Sequence, residues 1–203
     1  MKKKVYCPRF LTGTEFNWIS NVEEVDCPEK ADIIVFSGGA DINPELYKCA
    51  KHYSTYFNKE RDALEVSCFN NLSKNQLVIG LCRGAQLITA LNGGKLIQNV
   101  SGHCSGPHSI TNGEVRFKIE SIHHQMMYPF DMNTKDYKVL YWSTKRLSSI
   151  YEGDGIEVPK CEPEIVLYNQ ENYPTCLAIQ GHPEMMKPGI AHEIINGIIK
   201  TLI

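Results

Sequence analysis

The eight cysteines of this chain contain no Cys-x-x-Cys pair, which excludes a zinc ribbon and a thioredoxin-like redox motif. No apolar run reaches the length needed to cross a membrane. Neither charge sign is in excess. The 21 Lys and Arg against 23 Asp and Glu give a net charge of −2, and nothing marks nucleic acid as a partner. Met1-Lys2-Lys3-Lys4 opens like a signal peptide, but Pro8, Arg9, Thr12 and Glu15 interrupt the apolar segment that should follow. Internal repeats, low-complexity tracts and linker-like stretches are also missing, so residues 1–203 are expected to form a single domain. Without a secretory signal, and with a chain too long to need covalent staples, reduced thiols and a cytoplasmic location are expected.

What is present is an alternation of apolar segments and breakers. Lys4–Cys7, Asp32–Phe36 and Leu77–Leu81 read as strands. Residues 59–72 read as a helix with Leu64, Cys68 and Leu72 on one face, and 83–91 as another, stopped by Asn92-Gly93-Gly94. This order predicts an α/β fold with a mostly parallel sheet flanked by helices, and ligands bound beyond the carboxyl ends of its strands. Further strands are expected at 115–119, 139–142, 165–168 and 176–180, some of them in a small antiparallel extension. Residues 148–164, with Gly153, Gly155, Pro159 and Pro163, read as a loop-rich insertion. The last helix, 188–202, carries a core-facing stripe of Ile190, Ile194, Ile195, Ile198, Ile199 and Leu202.

Gly80-Leu81-Cys82-Arg83-Gly84 is the most informative stretch. It is Gly-x-Cys-x-Gly between an apolar strand and a helix, the thiol counterpart of a nucleophile elbow. The turn is too sharp to leave room for side chains beside the nucleophile, hence the glycines. It also places the sulfur at a helix N-terminus, which favours the reactive thiolate. A cysteine nucleophile needs a base. Of seven histidines, His182 follows the strand 176–180 and so enters the same crevice as Cys82, with Glu184 two residues on to hold its far ring nitrogen. His192, in mid-helix, reads as structural, and His52 carries no signature.

Gly80–Gln86 followed by Gly181-His182-Pro183-Glu184 resembles the class I glutamine amidotransferase superfamily. Three further stretches resemble its gamma-glutamyl-gamma-aminobutyrate hydrolase-like branch: Gly38-Gly39-Ala40-Asp41-Ile42-Asn43-Pro44-Glu45-Leu46-Tyr47, Arg61-Asp62-x-x-Glu65, and Ser121-x-His123-His124-Gln125. The resemblance implies a flavodoxin-like core, no cofactor, and hydrolysis of the side-chain amide of glutamine or of a gamma-glutamyl amide through a thioester on Cys82. It implies His182 as acid and base, Glu184 as the group orienting it, and the backbone N–H groups of Gly39 and Arg83 as oxyanion donors. Gln86, His124 and Gln125 are implied to contact substrate. The enzyme is then either a stand-alone gamma-glutamyl peptidase or a glutaminase feeding ammonia to a separate synthetase. A relative that binds or senses redox through Cys82 without catalysis is the rival from another class. Two stretches depart from the branch pattern: residues 147–155 stand where Asp-Gly-x-x-Glu-Ala is usual, and Gly181 stands where Trp is usual.

His103-Cys104-Ser105-Gly106-Pro107-His108 matches no zinc spacing, so a substrate-side loop is expected there and no metal. Arg61 and Glu65, four apart on a helix, are expected as a surface ion pair, with support of the elbow as the alternative.

Overall fold

A computed structural model of the chain describes residues 1–8 and 16–203. The expected absence of an apolar leader concerns in part residues 9–15, which lie outside the described residues. Among the described residues, thirteen strands follow one another as β1 (Lys3–Tyr6), β2 (Val22–Glu24), β3 (Ile33–Phe36), β4 (Leu77–Leu81), β5 (Lys95–Ile97), β6 (Asn99–Val100), β7 (His108–Thr111), β8 (Arg116–Ile119), β9 (Met126–Tyr128), β10 (Tyr137–Ser143), β11 (Tyr151–Glu152), β12 (Pro163–Tyr168) and β13 (Thr175–Ile179). The helices are α1 (Lys59–Asn70), α2 (Arg83–Leu91) and α3 (Ile190–Leu202).

Nine strands form the central sheet in the order β2-β1-β3-β4-β13-β12-β10-β7-β8. The half from β2 to β13 is parallel, and β12, β10, β7 and β8 continue it antiparallel. The flavodoxin-like core with its antiparallel extension is thus as expected. β3 and β4 are buried at every residue, as strands covered on both faces must be. Alternate residues feed two cores. Ile33, Val35, Leu77 and Ile79 pack with Ile195 and Ile199 of α3. Ile34, Phe36 and Val78 pack with Leu87 and Ile88 of α2 and Phe69 of α1 on the other face.

Two expectations about helix faces change. In α1, Leu64 is 53% exposed, whereas Arg61, Asp62 and Glu65 are buried. The helix turns its charges inward, because those charges neutralise one another and a fourth group, as shown below. In α3 the stripe holds except at Ile190, whose place in the first turn leaves it in solvent.

The elbow itself explains its glycines. A Cβ on Gly80 would lie 2.4 Å from the Gly84 carbonyl oxygen, and one on Gly84 would lie 2.0 Å from that of Phe36. Cys82 sits between them at φ 50, ψ −105, a region that costs a side-chain-bearing residue about 1–3 kcal/mol and persists only where its surroundings enforce it. Gly181 has a similar origin. β8 runs so close that a Cβ there would meet Ile119 Cγ1 at 2.6 Å and Glu120 O at 2.7 Å, which accounts for the glycine where tryptophan is usual in the branch.

Candidate active site

The parallel pairing of β4 with β13 matches Leu81 to Ile179, and the Cys82 N–H donates to Ile179 O at 2.8 Å. The chains leaving the two strands therefore diverge from one point. β13 continues through Gln180 and Gly181 to His182, whose N–H donates to Glu120 O at 2.9 Å. Pro183–Met185 form a single 3-10 turn that swings Glu184 back, so that its Oε1 lies 2.7 Å from His182 Nδ1. His192 of α3 completes the support: its Nε2 lies 2.8 Å from the Pro183 carbonyl oxygen, a structural role as expected.

His182 Nε2 is buried and, among the described residues, no group stands in hydrogen-bond geometry to it, although Cys82 is close enough to act on the ring. Burial opposes a charge on this ring. Its interactions with the Cys82 sulfur and the Glu184 carboxylate outweigh burial and raise its pKa to about 10. A titration of the His182 Cε1 proton by NMR should accordingly show a midpoint far above 6.5, and a midpoint near 6.5 would contradict this electrostatic picture. Because the folded-state value is the raised one, the stabilisation contributed by the charged ring is complete below pH ~6.5 and is lost as pH climbs through ~10.

The loop after β3 faces this pair. Gly38 lies against His182: a Cβ there would meet His182 Cε1 at 2.9 Å and Cys82 Cβ at 3.8 Å. Gly39 has φ +148, and a Cβ on it would lie 2.1 Å from Arg61 Nη1. That guanidinium ties down the loop, donating to Ser37 O at 2.9 Å and Gly38 O at 3.0 Å. Arg61 Nε donates to Glu65 at 2.8 Å, Arg83 donates to both Glu65 and Asp62, and Asp62 accepts from the Asn43 N–H at 2.9 Å. Two cations and two anions cancel in the interior, so the surface ion pair expected for Arg61 and Glu65 is instead a buried tie between the loop and the elbow. Arg83 is the part that sequence reading missed as a side chain. Its backbone N–H, first in α2, has no carbonyl within the helix to bind.

A pocket of about 220 Å³ opens over Cys82. Gly39 and Asp41 line one side, Gln86 the floor's helix, and His123, His124 and Gln125 the other. Gln86 Nε2 donates to Gln125 O at 3.0 Å. His124 Nε2 lies 3.0 Å from Asp41 Oδ1, and this carboxylate raises the His124 pKa. Gln125 lines the pocket, yet its amide nitrogen donates to Thr55 Oγ1 at 2.9 Å. All eight residues predicted for the site, Cys82, His182, Glu184, Gly39, Arg83, Gln86, His124 and Gln125, thus gather around the carboxyl ends of β3, β4 and β13. Exposed Tyr56 and Ile122 form an apolar rim that the sequence reading did not foresee. His103 is fully buried and does not line the pocket, while the next residue, Cys104, stays on its border: its Sγ donates to the His123 carbonyl oxygen at 3.1 Å.

Comparison with known proteins bears on the family and the fold. Residues 20–128 match the family model described as Peptidase C26. A putative glutamine amidotransferase-like protein, YvdE, from Lactococcus lactis subsp. lactis is 30% identical over 165 residues, which cover 75% of this chain and 66% of that protein. Protein NtpR from Enterococcus hirae is 32% identical over 75 residues, 36% of this chain and 31% of its own. The chain thus spans less than two thirds of the length of either relative. Among solved structures, a putative GMP synthase component from Thermoplasma acidophilum has a TM-score of 0.63 at 17% identity, covering 98% of this chain and 94% of that one. A glutamine amidotransferase from Thermotoga maritima has a TM-score of 0.51 at 14% identity, covering 91% and 77%. These last two likenesses are of fold. With the elbow, the sheet order and the family match in agreement, the chain belongs to the peptidase C26 family within the class I glutamine amidotransferase-like superfamily.

Proposed function

We propose that this chain is a thiol hydrolase that cleaves the side-chain amide of glutamine or of a gamma-glutamyl amide. The carrying observation is the strained Cys82 beside His182, whose other nitrogen lies 2.7 Å from Glu184, at the base of a pocket. The Cys82 sulfur attacks the carboxamide carbon. The oxyanion forms against the N–H groups of Gly39 and Arg83, which are preorganised by the Arg61 tie and by the helix start. His182 gives its proton to the leaving nitrogen, and ammonia or an amine departs. A gamma-glutamyl thioester remains. Neutral His182 then takes a proton from water, the hydroxide displaces the sulfur, and glutamate is released. Glu184 holds the ring in orientation throughout. Gln86 and the His123–Gln125 loop receive the glutamyl end.

Within this reading a stand-alone gamma-glutamyl hydrolase is favoured over an ammonia-supplying partner of a synthetase. The exposed rim of Tyr56 and Ile122 offers apolar contact to an amine larger than ammonia. The test compares glutamate release from gamma-glutamyl amides with ammonia release from glutamine, the purified chain being used alone, with mass spectrometry of Cys82 after acid quench. Expected are faster turnover of the larger amides and a gamma-glutamyl adduct on Cys82. Cleavage of glutamine only when a synthetase is added would favour the ammonia-supplying role. Failure with every substrate at every pH would remove the hydrolase reading altogether.

A further inference from the structure

Outside the pocket, two histidines and two glutamates meet at the antiparallel half of the sheet. His103 lies in the loop after β6, His108 opens β7, and Glu162 and Glu164 flank the start of β12. His103 and the side chain of Glu164 are 0% exposed. Among the described residues, neither ring nitrogen of His103 finds a hydrogen-bond partner. Its Nδ1 stands 3.5 Å from Glu164 Oε1 and its Nε2 stands 3.4 Å from Glu162 Oε2. His108 Nε2 lies 2.7 Å from the same Glu164 Oε1, to which Ser143 Oγ also donates, at 3.4 Å. The second oxygen of Glu164 is buried and has no hydrogen-bond partner among the described residues. Buried polar atoms are rarely left unpaired, and each such case calls for a ligand or another explanation.

We propose that His103, His108 and Glu164 bind a divalent transition-metal ion, with zinc the best match. One ligand atom from each of the three lies within 4.8 Å of the others. Zinc bonds of about 2.0–2.1 Å in a tetrahedron put ligand atoms about 3.3 Å apart. The His103–Glu164 separation of 3.5 Å is already close to that, and the His108–Glu164 pair has only to open slightly. Two imidazoles and one carboxylate suit zinc, with a fourth position for water, and do not suit magnesium or calcium, which take oxygen ligands. Glu162 supplies what a metal-bound histidine needs behind it, a carboxylate receiving the other ring N–H. Glu162 is itself held by the N–H groups of Leu147 and Ser148 and by the Tyr151 hydroxyl, at 2.8, 2.7 and 2.7 Å. Residues 147–155, where the chain departs from the branch pattern, therefore build the back wall of this centre. A surface depression of about 310 Å³ that includes His108 gives the ion a way in.

The centre is coupled to the pocket by packing. The His103 ring lies 4.7 Å from that of His123, and the His103 carbonyl accepts from the His123 N–H at 3.2 Å and Ser121 Oγ at 2.7 Å. An ion holding His103 would fix the loop that carries His123, His124 and Gln125.

The test uses the whole chain, stripped with a chelator and titrated with zinc against a chromophoric competitor, with metal content measured by mass spectrometry. One zinc per chain is expected. Cobalt in its place should give the visible absorption of a tetrahedral site. His108→Ala and Glu164→Gln should abolish stoichiometric uptake, and Glu162→Gln should weaken it by about 10–100-fold. Cys82→Ala should bind as the parent does, which separates this centre from the thiol pocket and from the hydrolase reading. His108 is the most accessible ligand, so the folded state of its variant is checked by circular dichroism. No uptake by the parent, or unchanged uptake by folded His108→Ala and Glu164→Gln, overturns the proposal.

Discussion

Replacing Cys82 by alanine is expected to lower the rate of gamma-glutamyl amide hydrolysis by at least about 10⁴-fold. The magnitude follows from the role proposed for the sulfur. It forms the covalent bond, so its removal takes the proposed nucleophile away from the base beside it. The fold should survive, because the change removes one atom and keeps the Cβ that the strained turn already accommodates. Thermal unfolding by circular dichroism and steady-state hydrolysis, measured on the same preparation, separate loss of chemistry from loss of structure. The variant carries an internal control as well. The sulfur is one of the two groups that hold the His182 pKa up, so the His182 titration should move toward lower pH in its absence. A folded Cys82→Ala protein retaining more than a small fraction of parental activity would sink the covalent mechanism and return the chain to a binding or sensing role.

The second large effect is one of stability. Arg83→Met should cost about 3–5 kcal/mol, the range found when one partner of a buried ion pair is removed and its counter-charge stays. For a chain of this size that corresponds to a fall in Tm of about 6–20 °C. Asp62 would lose Arg83 and keep the Asn43 N–H, and Glu65 would lose Arg83 and keep Arg61. Burial already pushes the Asp62 carboxyl up, and loss of Arg83 pushes it further. Part of the penalty should therefore be relieved at acid pH, where the carboxyl takes a proton. A melting temperature within a degree of the parent's would mean that the network is not the tie it is drawn as here.

The elbow was legible because it is local. Strand, glycine, cysteine, glycine and helix lie within a dozen residues, and β4 and α2 fall on the expected residues. The nearness of His182 and Glu184 to Cys82 was legible through chain order, since both follow a strand that pairs beside β4. The buried charges were not legible. Apolar periodicity assigns a helix its inner face by counting hydrophobic residues, and in α1 that rule points to Leu64, which is exposed. The inner face is set instead by Arg83, which reaches back to residues 18 and 21 positions earlier. The short strands β2, β5, β6, β7, β9 and β11 also escaped notice. Two to four residues carry too little alternation to stand out, and their pairing is decided by distant partners.

The pairing of Leu81 with Ile179 acts as a ruler for the chemistry. Sulfur and imidazole come from segments about a hundred residues apart, but backbone hydrogen bonds between two strands buried over Cys176–Ile179 and Leu77–Leu81 fix where those segments start. Slipping that register by one residue would displace His182 by about 3.3 Å and turn the alternating side chains of β13 to the opposite layer. Such a slip would expel Leu177 and Ile179 from one core and Ala178 from the other. Burying the hydrophobic residues in this register thereby also fixes where Cys82 and His182 leave the sheet relative to each other. The pocket walls, built from loops on the far side of this ruler, are free to change substrate without disturbing it.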